Sequence, residues 1–135
     1  MKKDFKTWHI KKEKLNDADA NAFFQEREVW WCLLGVNVGH EQDGGQRDFE
    51  RPVVILKKFN LDVCLVIPLT ARPKKGIYYF PVGTIEERNA VAVLSQVRLI
   101  DRRRLVNKIC TLEENIFRAL AQDFMKKCLP STDLK

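Results

Sequence analysis

No apolar run in the chain approaches the ~20 residues that span a bilayer, and residues 1–14 are charged throughout rather than opening onto an apolar secretion segment. Neither a membrane helix nor a membrane partner is expected, and the expected location is the cytoplasm. The four cysteines, Cys32, Cys64, Cys110 and Cys128, form no Cys-x-x-Cys pair and have only His9 and His40 to help them. Neither a zinc site nor a disulfide framework is written there. Reduced, mostly buried thiols are expected, with no metal and no cofactor. Only six glycines and five prolines occur among 135 residues, which excludes collagenous and low-complexity chains.

What is present describes one globular domain, with 45% apolar, 10% aromatic and 31% charged residues. Twenty-four Lys and Arg against 18 Asp and Glu give a net charge of +6. That balance permits a nucleic-acid partner without requiring one.

Residues 1–25 are polar, with Phe5, Trp8, Ile10 and Leu15 among lysines and acids, and read as an N-terminal extension: a short helix docking by Trp8 and Leu15. From Glu28 the texture changes to EVWWCLLG, RPVVILKK, DVCLVIPLT, IYYFPVG and AVAVLSQVRLI, short apolar or β-branched runs separated by turn-forming stretches. Several strands with short links favour a compact barrel. Thr111-Leu-Glu-Glu114 has capping-box spacing, and Ile116, Phe117, Leu120 and Phe124 recur at helical intervals, so a C-terminal helix is expected over 112–128 with Pro130 stopping it. The domain proper is then 26–130.

Four blocks between Glu28 and Leu105 occur in a fixed order: Val29-Trp30-Trp31 leading to Gly39-His40-Glu41-Gln42, then Arg51-Pro52-Val53-Val54-Ile55-Leu56, then Val66-Ile67-Pro68-Leu69-Thr70, then Ser95-Gln96-Val97-Arg98-Leu99-Ile100-Asp101. They span about 80 of the 135 residues and resemble the MazF/PemK (Kid-like) toxins of type II toxin–antitoxin systems. The resemblance implies a mainly β fold with helices (α+β): an SH3-like small β-barrel with a C-terminal helix. It also implies a homodimer, metal-independent and sequence-selective cleavage of single-stranded RNA, and a cognate antitoxin protein, with DNA met only through an antitoxin complex.

By the same resemblance Arg51, His40 and Thr70 are the catalytic candidates, and Glu41, Gln42, Gln96 and Arg98 the substrate-binding ones. Chemistry supports the assignment. RNA carries its own nucleophile, the 2′-hydroxyl, so the enzyme must supply a base, donors for the charge on the pentacoordinate phosphate, and an acid for the departing 5′-oxygen. Arg51 offers a planar fork matched to phosphate oxygens. His40 offers an imidazole, the side chain whose reference pKa of ~6.5 suits a base near neutrality. Thr70 offers either a hydroxyl to a phosphate oxygen or a cap to the following turn. Gln42 and Gln96 suit loop orientation or base-edge reading, and Glu41 a charged hydrogen bond to Arg51 or His40.

The chain departs from the compact pattern in three places. Eight residues, Asp43 to Glu50, separate the His40 loop from Arg51, which makes Arg47 a rival; Pro52, suited to the start of a strand, favours Arg51. Ser95 and Val93 stand where Kid-like members carry an acid and an arginine. A basic set, Arg98, Arg102, Arg103, Arg104 and Lys108 with Lys57, Lys58, Lys74 and Lys75, suits guidance of an RNA strand. One of Trp30 and Trp31, and one of Tyr78 and Tyr79, must leave the barrel interior. Two other functions use the same barrel: a CcdB-like, non-enzymatic gyrase-binding toxin, and a degenerate RNA- or protein-binding module.

Overall fold

β-Branched and aromatic residues fit a pleated, half-buried surface, and the strands lie where they concentrate. A computed structural model describes residues 2–45 and 48–131. Its elements are α1 (Phe5–Asp17), β1 (Glu28–Leu33), β2 (Glu50–Lys58), β3 (Val63–Thr70), β4 (Tyr79–Ile85), β5 (Arg88–Val93), β6 (Arg98–Asp101), β7 (Leu105–Thr111) and α2 (Glu114–Cys128). The strands form one antiparallel sheet in the order β4-β5-β3-β2-β1-β7, with β6 added on β3. Besides its pairing with β2, β3 serves two further ladders: Val63–Val66 pairs with β6, and Leu69–Thr70 with β5. The bend between them curls the sheet into a half-barrel, the mainly β architecture with helices that the resemblance implies.

Side chains alternate across a strand, so the central strands carry a core on each face. Val29, Val54, Ile67 and Leu69 pack with Leu120 and Phe124 of α2 on one side; Trp30, Cys32, Val53, Ile55, Cys64 and Val66 pack with Phe24 on the other. Trp30 is buried and Trp31, on the opposite face, is half-buried. Tyr78 precedes β4 and is exposed; Tyr79 is half-buried.

The apolar stripe of α2 packs on the sheet as its periodicity requires. Its start differs from expectation. Thr111 ends β7, paired with Glu28, so its backbone is extended and the N-cap position falls to Glu113, with no side-chain cap bond. Strand pairing overrides the capping box. Leu129 is extended at φ −110°, as a residue before proline favours, and the helix ends there.

α1 begins at Asp4, whose carboxylate accepts the Thr7 N–H at 3.1 Å. Trp8 is buried, with its ring 5.5 Å from that of Phe49 and 5.8 Å from the Arg104 guanidinium; Leu15 is half-buried. A methyl group at Gly35 would overlap the Trp8 indole, and Gly35 itself has φ +72°, so only glycine suits this approach. No helix of the described residues is long and apolar enough to cross a membrane.

Candidate active site

Arg51 is the second residue of β2, in register with Cys32 of β1. Continuing the β2–β3 register from the Val53–Pro68 pair sets Thr70, the last residue of β3, opposite Arg51. Pro52 precedes the first registered pair with β3, so its missing N–H falls where that ladder has yet to begin. A rigid sheet thus presents two polar side chains where its strands meet loops. Arg47, the rival of Arg51, lies outside the described residues.

The Arg51 guanidinium is held from behind. Nε donates to the Asp43 carbonyl at 2.7 Å and Nη1 to the Leu69 carbonyl at 3.3 Å. The Gln42 amide, with its oxygen turned inward, accepts from Nε and Nη2 at 3.1 Å. Burial lowers the Arg51 pKa, the Arg72 charge lowers it further, and Asp43 opposes both. An arginine so placed remains charged.

Arg51 and Thr70 line a cavity of about 590 Å³ together with Trp31, Glu50, Arg72 and Arg88. Thr70 Oγ1 accepts the Arg72 N–H at 3.2 Å, the turn cap of a strand-end threonine, while its own O–H is still a donor. Arg88 opens β5 opposite Ile85, across a two-residue turn in which Glu86 and Glu87 adopt φ +52° and +65°. Three arginines against the carboxylates of Glu50 and Glu86 leave the cavity lining net positive, a balance that suits an anion. The sequence singles out neither Arg72 nor Arg88. Their only signal is position, one two residues past the strand-end threonine and the other closing a hairpin. The Glu50 carboxylate is buried, and its Oε1 has no hydrogen-bond partner among the described residues.

None of the remaining expected residues lines the cavity. His40 is exposed; its carbonyl accepts Gln96 Nε2 at 3.1 Å, and Gln96 Oε1 accepts the Gln42 N–H at 3.0 Å. Gln96 therefore ties the His40–Gln42 segment to the body, and Gln42 passes the tie on to Arg51. Glu41 accepts the Val38 N–H at 2.9 Å, closing a turn within its own loop. Arg98 stands on β6 opposite Val66, and its charge acts on Arg104 and Cys32.

Much of the basic set is neutralised locally. Arg102 pairs with Asp62 at 3.4 Å, Arg103 with Asp101 at 2.9 Å, Lys108 with Glu28 at 3.0 Å and Lys57 with Glu26 at 3.8 Å. Positive charge is concentrated instead at the Arg51 cavity and on the exposed Lys74–Lys75 stretch beyond Thr70.

Residues 25–127 match a family model described as the PemK-like, MazF-like toxin of type II toxin–antitoxin systems. Three solved structures share the fold. The Mycobacterium tuberculosis toxin MazF-mt6 is 21% identical with a TM-score of 0.56, covering 74% of this chain and 94% of its own. MazF from Deinococcus radiodurans is 15% identical with a TM-score of 0.62, covering 78% and 96%. An endoribonuclease from a mycobacterial species, solved in complex with its cognate antitoxin, is 10% identical with a TM-score of 0.59, covering 81% and 99%. No curated protein sequence matches the chain.

Proposed function

The chain belongs to the PemK-like, MazF-like toxin family of type II toxin–antitoxin systems, and from that premise we propose that it is a metal-independent endoribonuclease acting on single-stranded RNA at the Arg51 cavity. The observation that carries the proposal is the pairing of Arg51 with Thr70 at one mouth, ringed by Arg72 and Arg88.

In this reading a scissile phosphate enters the cavity with its non-bridging oxygens against Arg51 and the Thr70 hydroxyl. The 2′-hydroxyl attacks the adjacent phosphorus, the P–O5′ bond breaks, and the products are a 2′,3′-cyclic phosphate and a 5′-hydroxyl. With Nε engaged behind it, the guanidinium keeps Nη donors for the extra charge on the pentacoordinate phosphate. His40, exposed on the loop that carries Gln42, takes the 2′-hydroxyl proton. Arg51 stays charged throughout, and the departing 5′-oxygen takes its proton from water at the open mouth of the cavity. Arg72 and Arg88 hold the flanking phosphates, Gln42 and Gln96 keep the loop in place, and Arg98 adds positive charge beside it. The protein works in the cytoplasm as a homodimer, and a cognate antitoxin neutralises it.

Incubation with a mixed-sequence RNA in EDTA, beside its DNA copy and the Arg51→Ala variant, tests the proposal. Site-selective cuts in RNA alone, absent from the variant, are expected. Intact RNA in every lane would sink it and leave gyrase binding or a non-cleaving module.

A further inference from the structure

Helix α1 lies outside the stretch that matches the family model, yet its polar contacts converge on the loop between β1 and β2. Lys3, just before the helix, donates to the Asn37 carbonyl at 2.6 Å and the Gly39 carbonyl at 2.9 Å, and meets the Asp43 carboxylate at 2.9 Å. One ammonium thus fills its three donors on one loop. Lys11 pairs with Asp48 further along the same loop. Between them Trp8 covers Gly35 and Phe49.

The loop needs holding. Asp48 and Phe49, immediately before β2, have φ +48° and +65°, and for a bulky residue such as phenylalanine that conformation persists only when its surroundings impose it. The Trp8 ring against Phe49 is one such restraint. Asp43 is the other end of the device: its carboxylate takes Lys3 and the Asn37 N–H, the latter at 2.6 Å, while its carbonyl accepts from Arg51 Nε.

We infer that α1 is an intramolecular clamp on residues 34–45 and 48–49, with Lys3 as its positioning residue: the ammonium fixes Asp43, whose carbonyl sets the plane of the Arg51 guanidinium together with Gln42 and Leu69. Its consequence for catalysis rests on the reading of Arg51 given above. Without the ammonium, three acceptors lose their common donor and Asp43 turns toward water. Arg51 stays in place as a charge, still touching Gln42 and Leu69, but its plane is no longer fixed on the Asp43 side. Orientation matters to the transition state more than to RNA binding, which Arg72 and Arg88 sustain.

The test uses the full chain. Hydrogen exchange at Arg51 Nε–H is followed by ¹⁵N NMR, the signal being assigned by its loss in Arg51→Lys, and single-turnover cleavage of a short RNA separates rate from affinity. In Lys3→Met the Nε–H should exchange at least tenfold faster than in the wild type, and the cleavage rate should fall about tenfold to a hundredfold with RNA affinity nearly unchanged. Asp43→Asn should do the same, and the double variant should lose no more than either alone. Slow exchange and full rate retained in Lys3→Met would overturn the clamp, as would a wild-type Nε–H that already exchanges freely. So would a rate loss that only tracks melting temperature across Lys3→Met and Trp8→Ala while the Nε–H stays protected. If wild-type protein leaves RNA intact but Lys3→Met still frees the Nε–H, the nuclease reading fails and the clamp stands.

Discussion

Arg51 is rigid on one side and open on the other. Its Nε and Nη1 are spent on the Asp43 and Leu69 carbonyls, so the cavity receives the outer part of the fork with its charge intact. Arg51→Lys keeps the charge and loses the fork, and should cut RNA about 10²-fold to 10³-fold more slowly in single-turnover assays with the melting temperature unchanged. Thr70→Val should cost less than Arg51→Lys, because the hydroxyl both caps Arg72 and donates outward. For His40 the proposed role is that of base, so His40→Ala should lower the cleavage rate at neutral pH with RNA affinity little changed. A wild-type rate in the variant would remove the base role. While the proposed roles of Arg51 and Thr70 come from the family resemblance, their strand-end positions were legible locally, through Pro52 and the turn after Thr70. Arg72, Arg88 and Asp43 were not, since their roles arise from a β3–β5 pairing and a loop fold that no local pattern encodes.

At the scale of elements, glycine placement and helix packing decide what holds. Gly35 accommodates the Trp8 indole at a positive φ, so Gly35→Ala should destabilise the protein by more than about 1 kcal/mol and expose α1 to proteolysis before the strands. Leu120, fully buried between α2 and the sheet, should cost about 2–5 kcal/mol as alanine in chemical denaturation. The periodicity of α2 announced that burial correctly, because a helix that packs on one face must repeat its apolar residues on that face. The Thr111–Glu114 capping box misled for a physical reason. A capping residue competes with strand pairing, and β7 retains Thr111 through its partner Glu28. The N-terminal helix was legible through Trp8, whereas its grip on the loop was not, since Lys3 and Asp43 are 40 residues apart.

The two-sided core has a consequence for the whole molecule. Burial pushes the Cys32 and Cys64 thiols up to about 12 from an ordinary 9.0, against the nearby charges of Arg104 and Arg98 for Cys32 and with the help of Asp101 for Cys64. The folded state therefore keeps protons that the unfolded chain releases. This contribution to stability is complete below pH ~9 and is lost as pH rises toward 12. Denaturation midpoints should fall across that alkaline range, and Cys32→Ala/Cys64→Ala should fall less steeply. The mainly β plan and its C-terminal helix follow from apolar runs and their spacing, while the half-barrel depends on how β3 divides its length between β5 and β6, which is a tertiary choice.

In the proposed reaction the 2′-hydroxyl of RNA, guided by Arg51, does the cutting without a metal. Mapping the ends of a cleaved RNA in EDTA, beside the same RNA carrying a single 2′-deoxy nucleotide at the cleaved position, tests this step itself. A 2′,3′-cyclic phosphate and a 5′-hydroxyl are expected at one site in the first substrate, and no cut at that site in the second. Cleavage that persists at the deoxy position, or ends bearing a 5′-phosphate, would contradict it.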